Sequence, residues 1–208
     1  EILIGLVGSE MCIRDRSTYR MNTPNKLTVL RMILAPVFLA VFLAQSIPYH
    51  YWWAVLVFSA AAITDAVDGK LARKNDQITV FGKLLDPVAD KMLTTAALLG
   101  FMQVGLCNIW IVMIVLTREF AVTSVRLIAS AEGVVIPANI WGKLKTVSQM
   151  TFTIVIMLLA AVQEMGSLPA SFPLALISNI LLWITAVLTV VSGVIYLMRS
   201  TKIITFTK

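Results

Sequence analysis

Residues 65–90 read D-A-V-D-G-K-L-A-R-K-N-D-Q-I-T-V-F-G-K-L-L-D-P-V-A-D and set acids among long apolar runs. Asp65 and Asp68 are three residues apart and Asp86 and Asp90 four apart, spacings that put each pair on one face of a helix. Two such helices joined by a short turn can aim all four carboxylates at a common point. Ionised carboxylates beside hydrocarbon are costly unless they are paired or bound to metal. Hard divalent cations such as Mg²⁺ or Mn²⁺ prefer oxygen ligands and often complete their shell with phosphate oxygens. Gly69, Ala72 and Gly82 leave room for a ligand or a backbone to approach closely. Arg73 and several lysines ring the stretch, as an anionic ligand requires. Solvated helix-end charge accounts for Lys74 and Asp76, but poorly for Asp65 and Asp90, which sit further inside apolar sequence. The stretch reads as a metal and phosphate site.

The elements that must hold it are membrane helices. Of 208 residues, 59% are hydrophobic and 13% charged, and the mean hydropathy is +0.88. A soluble domain is nearer half apolar and a quarter charged, so a bilayer is the natural destination for the excess. Six apolar segments follow one another, at about 27–45, 51–73, 82–104, 109–130, 143–163 and 174–198. Pro24 suits the first turn of the first, and Tyr51, Trp52 and Trp53 make an aromatic belt at the entry of the second. The connections near 46–50, 105–108 and 164–173 contain no Lys or Arg, whereas the alternate connections and both ends are basic. The expected architecture is therefore an all-α polytopic membrane protein with six transmembrane helices and both termini cytoplasmic. The net charge of +6 then reports orientation in the membrane rather than nucleic-acid binding. Residues 1–20 read unlike the rest, as a non-native or an interfacial segment, and residues 21–208 as one six-helix membrane domain. Cys12 and Cys107 lack the neighbours of a redox or metal motif and are expected as free thiols. His50 is read as interfacial, and Glu164 as standing alone in a connection.

The pattern Asp65-x2-Asp68-Gly69-x2-Ala72-Arg73-x8-Gly82-x3-Asp86-x3-Asp90 resembles the CDP-alcohol phosphotransferase signature at every position and gap. The resemblance implies a six-helix membrane enzyme that transfers a phospho-group from a CDP-linked lipid or alcohol to a hydroxyl and releases CMP. It implies that Asp65, Asp68, Asp86 and Asp90 hold one or two Mg²⁺ or Mn²⁺, with Asp90 also the general base. It gives Asp65, Asp68, Gly69, Ala72, Arg73 and Gly82 to the nucleotide and CDP-lipid site. Family relatives are often homodimers.

The acceptor must be read elsewhere. Arg118 lies within the fourth apolar segment beside Glu119, with Arg126 about two turns on, and Lys143 and Lys145 open the fifth. Cations so close to apolar sequence want anionic partners. One partner is a phosphate on the acceptor; the alternatives are pairing of Arg118 with Glu119 or a motif aspartate, and interfacial anchoring by the lysines. The stretches 24–31, 117–120 and 142–146 resemble family members that use CDP-diacylglycerol and glycerol 3-phosphate in the bacterial cytoplasmic membrane. On that resemblance Arg118, Lys143, Lys145 and, more weakly, Arg126 take the acceptor phosphate. Asn25, Thr28 and Arg31 then close the cavity near the nucleotide, unless they serve only in capping and interfacial anchoring. Inositol phosphate, serine or a phospholipid would be alternative acceptors for the same chemistry. A divalent-cation transport site would need polar residues continuing to the opposite face, where the second and third segments are almost wholly apolar.

Overall fold

The computed structural model describes residues 23–75, 80–131, 140–169 and 171–200; the side chains of residues 23–26, 65–75, 80–87, 90 and 131 fall outside that description. The N-terminal segment 1–20 likewise lies outside the described residues. The described residues fold into six helices: α1 (Thr23–Leu43), α2 (His50–Asn75), α3 (Val80–Gln103), α4 (Ile109–Ala131), α5 (Ile140–Glu164) and α6 (Leu174–Ser200). Each expected segment is present as a helix, with ends moved by at most four residues. Pro24 falls in the first turn of α1, where its missing N–H leaves no intrahelical bond unmade. The helices run 21 to 27 residues, about 31 to 40 Å at 1.5 Å per residue. Of these, α5 and α6 are both long and apolar enough to cross a membrane, and α1 and α2 carry shorter apolar stretches, Leu27–Leu43 and His50–Thr64.

Short connections fold neighbouring helices back on one another. Residues 44–49 reverse the chain through turn hydrogen bonds such as Ile47 N–H to the Ala44 carbonyl, 2.9 Å, with Tyr49 at φ 57°. At the ends of α3 and α5, Gly105 (φ 78°) and Gly166 (φ 74°) take the left-handed conformation that a side chain disfavours. The next N–H reaches back across each helix end, Leu106 to the Phe101 carbonyl at 2.8 Å and Ser167 to the Val162 carbonyl at 3.3 Å. This pattern satisfies carbonyls that the last helical turn would otherwise leave unbonded.

Packing divides the helices into two groups. In the first, α1 lies against α2 and α3 through aromatic rings. Phe38 meets Phe58 at 5.4 Å between centroids, and Phe42 meets Tyr51 at 5.1 Å and Phe101 at 5.5 Å. Gly100 of α3 permits this approach, since a Cβ there would stand 3.0 Å from Phe42 Cδ1. In the second group, α6 lies against α4 and α5, and its buried face is largely small or hydroxylated: Ser178, Thr185, Ala186, Thr189, Ser192 and Gly193. Its outer face exposes Ile180, Trp183, Val187, Val190, Val194 and Met198. Apolar outside and hydroxylated inside is the reverse of a water-soluble helix, and small residues are what bring membrane helices close. Contacts of α2 with α5 and of α3 with α4 join the groups.

Candidate active site

Asp65, Asp68, Gly69, Ala72 and Arg73 all lie on α2, and Gly82, Asp86 and Asp90 on α3. Both aspartate pairs are therefore helical, and spacings of three and four put each pair on one helix face. The two helices are joined by only the four residues 76–79. Four aspartates on two successive helices supply the hard oxygen donors that a Mg²⁺- or Mn²⁺-type ion prefers. The side chains that would hold it are outside the described residues, among which no other cluster of His, Cys, Asp or Glu offers a metal site.

α1 brings further polar groups to the same height. Thr28 and Asp65 are each fifteen residues from the ends of α1 and α2 that the 44–49 turn joins, about 22 Å along antiparallel helices. Thr28 and Arg31 are 1% and 3% exposed, so they belong to the bundle interior rather than anchoring α1 at an interface. The side chain of Asn25 is not among those described.

The basic residues assemble around a second feature. A cavity of about 490 Å³ is lined by Lys91 of α3, Arg118 and Arg126 of α4, Lys143 of α5, and Ser192 and Tyr196 of α6. Glu119 borders it and gathers cations from three helices. Lys145 Nζ donates to Glu119 Oε1, Arg118 Nη1 donates to the same oxygen at 3.2 Å, and Lys91 Nζ lies 3.9 Å from Oε2. Lys145 is 4% exposed and is turned to Glu119, whereas Lys143, one residue pair earlier, is exposed and lines the cavity. Arg118 makes a second bond, Nη2 to Ser192 Oγ at 3.0 Å. Among the described residues, four cations against one carboxylate give the cavity wall a surplus of three positive charges, an environment that favours a phosphate.

The sequence had offered pairing with Glu119 and phosphate binding as alternatives for Arg118. The geometry allows both at once, since Glu119 engages one guanidinium nitrogen and the residue still lines the cavity. Lys91, Ser192 and Tyr196 had not been singled out. Lys91 follows Asp90 directly, a cation inside apolar sequence, and was the one legible signal. An apolar cleft of about 550 Å³ between α1, α3 and α4 adjoins the basic cavity, sharing Lys91 and Thr123 with it.

Two residues differ from their sequence reading. His50, read as interfacial, has a side chain that is 7% exposed and packed within the protein: Nδ1–H donates to the Phe42 carbonyl at 2.9 Å and its ring lies 4.0 Å from that of Tyr51. Glu164 is not alone. Its carboxylate accepts the backbone N–H of His50 at 3.2 Å and of Tyr51 at 3.3 Å, satisfying the first N–H groups of α2. Adjacent aromatics in the sequence suggested an interfacial turn, but the reversal at 44–49 folds His50 under the end of α1.

Comparison with known proteins agrees with the motif and the fold. A family model described as CDP-alcohol phosphatidyltransferase matches residues 21–191. A CDP-diacylglycerol–glycerol-3-phosphate 3-phosphatidyltransferase of Bacillus subtilis is 39% identical over 183 residues, covering 83% of this chain and 91% of the relative. A probable phosphatidylglycerophosphate synthase of Mycobacterium tuberculosis is 39% identical over 185 residues, covering 87% and 82%. A Rickettsia bellii protein with the same name as the Bacillus one is 35% identical over 176 residues, covering 84% and 93%. By its signature, its helical fold and these matches, the chain belongs to the CDP-alcohol phosphatidyltransferase family of enzymes.

Proposed function

We propose that this enzyme transfers the phosphatidyl group of CDP-diacylglycerol to glycerol 3-phosphate, giving phosphatidylglycerophosphate and CMP. The observation that carries the reading is the surplus of positive charge around the cavity on α3 to α6, next in the fold to the aspartate-bearing helix. The names of the similar proteins support the same acceptor. The apolar cleft sharing Lys91 and Thr123 with that cavity suits a lipid-linked donor.

In this mechanism the acceptor's phosphate is held by Arg118, Lys143 and Arg126, which leaves its hydroxyl free to face the donor. Lys145 contributes through Glu119, which it helps to hold in place between Arg118 and Lys91. Asp90 takes the proton of the attacking hydroxyl. The new bond joins that oxygen to the phosphatidyl phosphorus, the pyrophosphate P–O bond breaks, and CMP departs with the bond's electrons. Gly69, Ala72 and Gly82 give the cytidine space, Arg73 meets phosphate, and Asn25, Thr28 and Arg31 close the site from α1. Asp65, Asp68, Asp86 and Asp90 would hold one or two Mg²⁺ or Mn²⁺, which would supply neutralisation of the pyrophosphate charge.

All six helices cross the bacterial cytoplasmic membrane in this reading, with both termini and the aspartates on the cytoplasmic side, and the enzyme acts as a homodimer. The basic alternate connections and the apolar outer face of α6 support that arrangement. The test offers purified protein CDP-diacylglycerol with glycerol 3-phosphate, inositol phosphate, serine or a phospholipid, and follows CMP release. Turnover with glycerol 3-phosphate is expected, and Asp90→Asn is expected to lower it by about 10³-fold while the protein still inserts. Preference for another acceptor would overturn the substrate, and near-normal turnover by Asp90→Asn would remove Asp90 as the base.

A further inference from the structure

Arg118 is the cation most elaborately held in the cavity wall, and what holds it comes largely from α6. Its Nη2 donates to Ser192 Oγ at 3.0 Å, while the Ser192 hydroxyl itself donates to the Thr189 carbonyl at 3.0 Å. The serine's proton is thereby committed to the helix, and its lone pair is presented to the guanidinium. The next residue, Gly193, is buried, and a Cβ built there would stand 2.9 Å from Arg118 Cγ. It would also lie 3.8 Å from Nε and 3.9 Å from Cδ. Cγ sits close to the α4 backbone, so the arginine could not yield by moving only its tip. Glycine is the least favourable residue inside a helix after proline, and here its lack of a side chain is what lets the arginine stem cross α6.

The same helix face continues toward the ligand space. One turn beyond Ser192, Tyr196 lines the cavity, and its buried hydroxyl has no hydrogen-bond partner among the described residues; Arg118 Nε is likewise buried without one. Buried donors without partners beside a cation-lined cavity await an acceptor-rich ligand.

We propose that Ser192 and Gly193 form a seat on α6 that positions the Arg118 guanidinium for the phosphate of the acceptor. This makes α6, which carries no part of the aspartate motif, a determinant of acceptor affinity. The inference rests on the reading of the cavity as the acceptor-phosphate site. Both residues are positioning residues, acting through Arg118.

The experiment follows CMP release by the purified enzyme in mixed micelles, varying glycerol 3-phosphate and CDP-diacylglycerol separately. Gly193→Ala is expected to raise the KM for glycerol 3-phosphate by about tenfold and to leave the KM for CDP-diacylglycerol within about twofold. Adding Gly193→Ala to Arg118→Ala should cost little more than Arg118→Ala alone, because the two act through one side chain. Val194→Ala, on the exposed face of the same turn, should behave as the parent. An unchanged acceptor KM in Gly193→Ala, or effects that multiply in the double variant, would overturn the seat. Should Gly193→Ala fail to fold, Ser192→Ala removes only the hydroxyl acceptor; a several-fold rise in acceptor KM is expected, and none would overturn the proposal. If the parent uses another phosphorylated acceptor, the substrate reading fails on its own, and the same comparison is made on that acceptor's KM.

Discussion

Two glutamates do similar work at different places in the bundle and for different ends. Glu164, the last residue of α5, accepts backbone N–H groups at the start of α2 and so joins two helix ends. Among the described residues no Lys or Arg forms an ion pair with it, and His50 Nε2 stands 3.9 Å away. Glu119, inside α4, instead collects the side chains of Lys91, Arg118 and Lys145 from three helices. One carboxylate satisfies backbone; the other organises cationic side chains that would otherwise repel. The contrast teaches that a buried acid beside hydrocarbon need not itself be reactive. Glu119 shapes the charge of a site, and Glu164 terminates a structure.

Removing the charge at each should separate the roles. Glu119→Gln leaves Lys145, 4% exposed, without its carboxylate, and a buried cation stripped of its partner costs ~3 kcal/mol or more. A marked fall in thermal midpoint in detergent is expected, together with a higher KM for the phosphorylated acceptor. Glu119→Gln/Lys145→Met removes the buried pair together and should recover most of the midpoint. It should not recover acceptor affinity, because Arg118 still lacks the carboxylate charge that its Nη1 faces. Full recovery of both would reduce Glu119 to a neutraliser of Lys145 and erase the contrast.

Glu164→Gln is expected to cost ~1 kcal/mol, the scale of a helix N-terminal cap, with both KM values near those of the parent. A rise in acceptor KM comparable to that of Glu119→Gln would break the division of labour. The smallest effect concerns the connection between α3 and α4. Cys107 is 6% exposed and burial pushes its thiol up to about 12, so the thiolate is only about one part in ten thousand at pH 8. In a Cys12→Ser background, the folded protein should resist a thiol reagent at pH 8 and react once unfolded. Rapid labelling of the folded protein would show that this end opens.

Much of the architecture was legible because hydropathy acts over whole helices. Every apolar segment became a helix, and the aspartate motif falls on α2 and α3 at the spacing its letters suggest. The polar detail was less accessible because it depends on which helices meet. Lys143 and Lys145 look equivalent in the sequence, yet one lines the cavity and the other is buried against Glu119. Gly193 and Ser192 carry no signal until α6 is laid against α4. The contact between His50 and Glu164 was hidden for the same reason, since the two are 114 residues apart along the chain.

The central claim is that the cation-lined cavity, through Arg118, receives the phosphate of the acceptor. The most direct measurement is the rate of CMP release from CDP-diacylglycerol as glycerol 3-phosphate is varied, for the parent and for Arg118→Ala. The account predicts that CMP release requires glycerol 3-phosphate and that Arg118→Ala raises its KM by about tenfold or more, with the KM for CDP-diacylglycerol nearly unchanged. An unchanged acceptor KM, or a loss that falls on CDP-diacylglycerol instead, would contradict it.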